Sequence, residues 1–176
     1  MDAQESAPHA DGLEAMSPIN EKLAKSFAED HAMLEKAFRE IALHLDKGRL
    51  KKARAAASRI DRDAGAHIAF EEHDFYPALV DVLGQTAVSR LRREHQGGLE
   101  IVKRLAALPA TGALEAKESQ RLIDQAKRME HHVCECGQLF LAMSRLPQAQ
   151  QQDLLMRLEG WRQRKPKWTS LNTAAV

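Results

Sequence analysis

One pattern of histidine and glutamate occurs twice in this chain of 176 residues, at a constant separation of 64 positions. The matching pairs are His31 and His95, His67 and His131, and Glu71 and Glu135. Histidine accounts for only 8 residues of the chain, so two histidine matches together with a glutamate match at a single shift are unexpected by chance. The recurrence predicts two similar halves, each of which places one histidine and one histidine–glutamate pair at corresponding points.

Apolar residues at steps of three and four predict that both halves are helical. In the first segment Leu23, Phe27, Leu34, Phe38 and Ile41 follow this spacing. We expect four long helices and one shorter helix, over about residues 18–47, 50–83, 86–108, 114–146 and 148–159. Pro77 falls inside the second helix, and because proline lacks a backbone N–H and clashes with the preceding turn, we expect a kink or a new helix there.

Short turns between long amphipathic helices favour an all-α fold, an up-down-up-down four-helix bundle with a short extra C-terminal helix. No long stretch alternates with period two, and no Asn-Gly or Asp-Gly joins two such stretches as a β-hairpin turn would. We expect a disordered segment over residues 1–16, the bundle over residues 17–160, and a basic, solvated tail over residues 161–176.

The repeated residues have the chemistry of a metal centre. Side chains at positions i and i+4 share a helix face, so each histidine–glutamate pair points to one place. Imidazole and carboxylate together favour iron, manganese or zinc over calcium or magnesium. We assign the terminal ligands to His31, His67, His95 and His131, and the bridging carboxylates to Glu71 and Glu135. The sequence thus predicts two carboxylate-bridged metal ions, iron first, with manganese or zinc as alternatives.

Several neighbouring residues are set aside at this stage. Glu72 and His73 lie on other faces of the helix and are expected to be solvated. His132 is passed over for His131, because the 64-residue register and the i+4 spacing both favour His131. Tyr76, the single tyrosine, is expected to pack in the core or to donate a hydrogen bond to the site.

Four motifs carry a resemblance to a known family: His31, the segment HIAFEEHDFYPAL with His67 and Glu71, REHQGG with His95, and HHVCECGQLF with His131 and Glu135. Together they resemble the hemerythrin-like family, also called HHE cation-binding domains, over about residues 20–146. The resemblance implies a four-helix bundle with a non-haem di-iron centre, carrying an oxo or hydroxo bridge, that binds O2, NO or peroxide.

Two positions differ from the oxygen-carrying members of that family. Leu99 stands where those members have a further histidine, and Cys136 stands where they have an acidic ligand. In this respect the chain is more similar to symmetric bacterial relatives with four histidines and two glutamates. That similarity implies a part in oxidative or nitrosative stress rather than oxygen storage.

Cys134 and Cys136 are two positions apart, and on a helix they point roughly 160° away from each other, so they cannot form a disulfide together. Each is either a small buried apolar side chain or, for Cys134, a thiol near the metal.

Net charge and hydropathy limit the classes of partner that the chain is expected to bind. The formal net charge is +1, which gives no electrostatic basis for binding nucleic acid. No apolar run approaches the ~20 residues of a membrane span, and the polar N-terminus lacks a signal-peptide pattern, so we expect a cytoplasmic protein that is a monomer or a homodimer.

Three functions are consistent with such a site. The first is binding or sensing of O2, NO or a related oxidant at an open iron position. The second is an enzyme that removes peroxide or repairs iron–sulfur proteins. The third is a metal-storage or structural bundle, in which the ions only hold the helices together.

Overall fold

The structure is a computed structural model that describes residues 18–109, 112–135 and 139–171. Its regular elements are α1 (Pro18–Asp46), α2 (Leu50–Asp63), α3 (Gly65–Phe70), a π turn (Glu71–Phe75), α4 (Tyr76–Leu83), α5 (Gln85–Ala107), α6 (Ala116–Glu135), α7 (Leu139–Met143), α8 (Gln148–Arg164) and a 3-10 turn (Trp168–Ser170). Every regular element of these residues is helical, which confirms the predicted all-α fold. The segment 1–16, expected to be disordered, lies outside the described residues.

Four helical rods form a closed ring. Helix α1 packs against α2 and α6, and α5 packs against the same two helices from the other side. Helices that follow one another along the chain are therefore neighbours in space, as in an up-down-up-down bundle. Helix α8 is the extra C-terminal helix, and it packs across α1 and α3.

The interior divides into two apolar clusters with a polar layer between them. On α1, Phe27 belongs to one cluster and Leu34 to the other, and His31 lies between them. On α5, Leu91 and Leu99 flank His95 in the same way. The buried histidines are thus held at one level of the bundle, where apolar side chains above and below restrict the entry of water.

The second predicted helix is not continuous. Its π turn carries Glu71, and the backbone N–H of Tyr76 bonds to the Glu71 carbonyl, one residue farther back than in an α-helix. Pro77 stands in the first turn of the helix that follows, where its missing N–H costs little. A new helix therefore begins next to Pro77, which is one of the two alternatives expected there, and π turns of this kind are frequent at functional sites.

The C-terminal segment is anchored to the bundle at Trp168, although several of its side chains are exposed, so the expectation of a solvated tail is wrong at Trp168. Trp168 is fully buried in the larger apolar cluster. Its ring lies so close to Gly98 that a Cβ there would come within 2.6 Å of it, and a Cβ on Gly65 would come within 2.0 Å of the Pro166 carbonyl oxygen. Two glycines therefore admit the segment against the bundle, a fit that local sequence patterns do not reveal.

Candidate metal centre

Four of the predicted ligands meet in the polar layer. His31 comes from α1, His67 from α3, Glu71 from the π turn and His95 from α5, and all four are buried. Ligand atoms of the first three lie within 4.8 Å of one another. Glu71 Oε2 is 3.1 Å from His95 Nε2 and 3.3 Å from His67 Nε2, whereas Oε1 faces His31 Nε2 at 3.6 Å. The carboxylate thus directs its two oxygens to different histidines, as a bridging ligand does.

Two atoms of this cluster lack hydrogen-bond partners among the described residues. Glu71 Oε1 and His67 Nε2 are both buried, and neither is within hydrogen-bonding geometry of a donor or acceptor. An unpartnered buried polar atom costs about 1–3 kcal/mol, so native proteins rarely retain one without a ligand. A cation between these atoms would satisfy both, and the donor set of imidazole and carboxylate fits a transition metal.

The charges of the cluster also favour a cation. Burial would lower the pKa of His67, but the carboxylates of Glu71 and Asp30 outweigh burial and raise this pKa to about 9. The pKa of His95 is raised to about 9 against burial by Glu71 and Glu72. Burial would raise the pKa of Glu71, yet the surrounding imidazoles hold it well below its usual range. The carboxylates therefore stabilise positive charge in this layer. A bound metal ion would supply that charge while the imidazoles that bind it stay neutral.

Three inward-facing histidines share one arrangement. In each, Nδ1 donates to a carboxylate, because an ionised carboxylate can only accept. The bonds are His67 to Asp30 Oδ2 at 3.2 Å, His95 to Glu72 Oε1 at 3.0 Å, and His132 to Glu94 Oε2 at 2.6 Å. For His67 and His95 this leaves Nε2 directed at Glu71. Metal-bound histidines characteristically donate their second ring nitrogen in this way, which fixes the tautomer and the ring orientation.

The fourth helix departs from the sequence prediction. The structure does not bring His131 and Glu135 to the cluster: their side chains are 75% and 45% exposed, and they face each other across 3.1 Å at the surface. The inward histidine of α6 is His132, which is 4% exposed and has its ring 5.1 Å from that of His95. Consecutive helical residues point about 100° apart, so only one of the two histidines can face the interior. The assignment of His131 and Glu135 as ligands stays a prediction.

Sequence reasoning missed the carboxylates that hold the histidines, although a signal for two of them was present. Asp30 and Glu94 directly precede His31 and His95, and they are also 64 positions apart. Asp30 bonds to the inward histidine of α3, and Glu94 to that of α6. The repeat thus extends to the hydrogen-bond partners of the candidate ligands.

Other residues set aside have definite places. Glu72 is buried against His95, so the expectation that it is solvated is wrong. The π turn accounts for this, because it turns Glu72 inward together with Glu71. His73 is exposed and stacks on Trp161.

Tyr76 is fully buried, and its hydroxyl lies 3.2 Å from His95 Nε2, so both expected roles hold at once. Cys134 is exposed, which excludes the buried apolar reading, and Cys136 lies outside the described residues.

Aromatic rings wall the cluster on the side of the smaller apolar cluster. The ring of Phe27 lies 4.5 Å from that of His31 and 4.7 Å from that of His67, and Phe70 and Phe75 pack against Phe27. These rings exclude bulk water from that side of the cluster.

Comparison with known proteins agrees with this geometry. Among the described residues, no helix is both long enough and apolar enough to cross a membrane. Neither the curated proteins nor the solved structures that were compared gave a significant match. Residues 23–161 match the sequence model of the family described as hemerythrin HHE cation binding domain. Because the match covers most of the chain, the chain belongs to the hemerythrin HHE cation-binding domain family.

Proposed function

We propose that this protein is a non-haem di-iron protein that binds or senses O2, NO or a related oxidant, as part of the response to oxidative or nitrosative stress. The observation that carries the proposal is the buried cluster in which Glu71 faces three imidazoles while Glu71 Oε1 and His67 Nε2 lack partners. Buried polar atoms of this kind call for a cation at the centre of the bundle.

His31, His67, His95 and Glu71 would hold the metal, with Glu71 as the bridging carboxylate. On α6 we propose His132 as the remaining histidine, because it is buried and carries the same carboxylate partner on Nδ1 as the others. The 64-residue register keeps His131 with Glu135 as the alternative. Iron bound here would supply an open coordination position for a small oxidant.

The protein's own side chains set the conditions around that position. Asp30, Glu72 and Glu94 fix the orientation of the imidazoles. The Phe27 ring limits water beside His31 and His67. The buried Tyr76 hydroxyl, 3.2 Å from His95 Nε2, is placed to donate a hydrogen bond to a small ligand at the site.

The test is to load the reduced protein with Fe²⁺ under anaerobic conditions and to add O2 or NO. The proposal predicts new absorption in the charge-transfer region with either gas. An unchanged spectrum with both gases, in protein shown to contain iron, would contradict gas binding and leave a storage or structural role. Catalytic turnover of peroxide by the same iron-loaded protein would instead favour the enzyme.

A further inference from the structure

Helix α8 carries none of the candidate ligands, yet one of its side chains is connected to the cluster. The guanidinium of Arg162 donates to Asp30 Oδ2 at 2.7 Å and to Ser26 Oγ at 2.6 Å. The same Asp30 oxygen accepts the hydrogen bond from His67 Nδ1. A continuous chain of hydrogen bonds therefore runs from α8, through α1, to a candidate ligand on α3.

This chain of hydrogen bonds ends at His67, a candidate ligand. His67 Nε2 is one of the two atoms of the cluster without a hydrogen bond of good geometry, and the hydrogen bond at Nδ1 holds the ring so that Nε2 faces Glu71. With metal bound, Nε2 would present its lone pair in that direction. Asp30 is partly exposed, so its side chain could take other rotamers if His67 alone held it. The fork of Arg162, which also donates to the Ser26 carbonyl at 3.2 Å, restricts Asp30 to the rotamer that reaches His67.

Helix α8 is held by other contacts besides Arg162. Arg157 donates to Asp74 at 3.0 Å, the Trp161 indole donates to the same carboxylate at 2.7 Å, and Lys22 on α1 pairs with Glu159 at 2.6 Å. Loss of the Arg162 guanidinium alone should therefore leave α8 docked. The effect of Arg162 on the metal centre can thus be separated from its contribution to packing.

We propose that Arg162 is a positioning residue, which orients His67 through Asp30 and so couples the docking of α8 to metal affinity. The inference rests on the proposed function, because it requires His67 to be a metal ligand. In this role α8, which lies outside the four-helix ring, stabilises the orientation of a candidate metal ligand inside it.

The experiment compares Co²⁺ affinity and the visible Co²⁺ absorption spectrum of the full chain with those of single and double variants. Asp30→Asn should weaken Co²⁺ binding about 10- to 100-fold, the usual effect of removing the carboxylate partner of a metal-bound histidine. Arg162→Met should weaken it about tenfold and shift the spectrum in the same direction. Arg162→Lys should restore part of the affinity, because it keeps the charge but not the two-pronged hydrogen bonding.

A double variant and a matched control identify the route. If Arg162 acts through Asp30, Arg162→Met should cause no further loss in the Asp30→Asn background. Lys22→Met removes another ion pair between α1 and α8, an exposed one between side chains that are not candidate ligands, and should leave affinity and spectrum unchanged.

Wild-type affinity and spectrum in Arg162→Met, or an equal loss with and without Asp30→Asn, would overturn the positioning role alone. A wild-type chain that binds no Co²⁺, Fe²⁺, Mn²⁺ or Zn²⁺ would overturn the proposed function and this inference with it.

Discussion

The histidine pair of α6 offers the sharpest single test of the site. His132 is buried, donates to Glu94 at 2.6 Å and lies against His95, whereas His131 is mostly exposed and contacts Glu135 at the surface. We therefore expect His132→Ala to lose a ligand and His131→Ala to lose only a solvated contact. The two substitutions remove the same chemical group at neighbouring positions, so each is the control for the other.

The structure sets the magnitudes. Removing the carboxylate behind a metal-bound histidine costs about 10- to 100-fold in affinity, so removing the histidine itself should cost at least about 100-fold. In the metal-free protein, His132→Ala also removes a buried side chain and its hydrogen bond to Glu94, which should lower the free energy of unfolding by about 1–3 kcal/mol. His131→Ala should change the free energy of unfolding by no more than about 0.5 kcal/mol and leave metal affinity unaltered.

The assay is competition for Zn²⁺ or Co²⁺ against a coloured chelator, with urea unfolding of the metal-free variants alongside. Loss of affinity in His132→Ala with retention in His131→Ala is the expected result. The opposite result would refute the reasoning from burial and show that the 64-residue register, with His131 and Glu135, identifies the ligands of the metal-bound protein.

Four further outcomes follow from the contacts. Glu71→Gln keeps the shape of the side chain but removes its charge, and metal affinity measured by competition should fall at least about 100-fold. Tyr76→Phe should keep the metal and weaken NO or O2 binding about fivefold, the equivalent of one hydrogen bond of about 1 kcal/mol, as read from gas titration of the iron-loaded protein. Gly65→Ala would force a Cβ against the Pro166 carbonyl and should lower the free energy of unfolding, measured in urea, by about 1–3 kcal/mol. Gly48→Ala is the control, because a Cβ there meets nothing within 4 Å and strains only the local backbone at its positive φ. Limited proteolysis should show that the C-terminal segment stays docked in Gly48→Ala. Removing metal with a chelator should lower the melting temperature of the wild type and leave that of Glu71→Gln nearly unchanged, as calorimetry would show.

Much of the fold followed from local patterns. The 3.6-residue periodicity predicted where the helical rods lie, because each rod buries an apolar stripe, as Phe27, Leu34 and Phe38 do on α1. It did not predict that the second rod is interrupted between Asp63 and Gly65 and by the π turn. The burial of Trp168 in the C-terminal segment was not predicted. It depends on close contacts at Gly65 and Gly98, and such a fit between distant segments leaves no periodic signal in the sequence.

The site could be predicted in part, and the limit is geometrical. The i+4 spacing placed His67 and Glu71 together, since helical geometry fixes that relation. The inward position of Glu72 depends on the π turn. Its wider turn changes the direction in which the side chains of this helix point. The choice between His131 and His132 depends on the rotation of α6 about its own axis, which packing decides and a repeat of 64 positions does not.

If Glu71 and the surrounding histidines hold transition metal, as we propose, the metal content of the purified chain should show it. The full chain and Glu71→Gln would be loaded anaerobically with Fe²⁺, freed of unbound metal and analysed by elemental mass spectrometry with protein quantified in the same sample. The wild-type chain should retain two iron ions, and Glu71→Gln should retain far less iron. Wild-type protein that retains no metal, or a Glu71→Gln variant that retains as much as the wild type, would contradict this proposal.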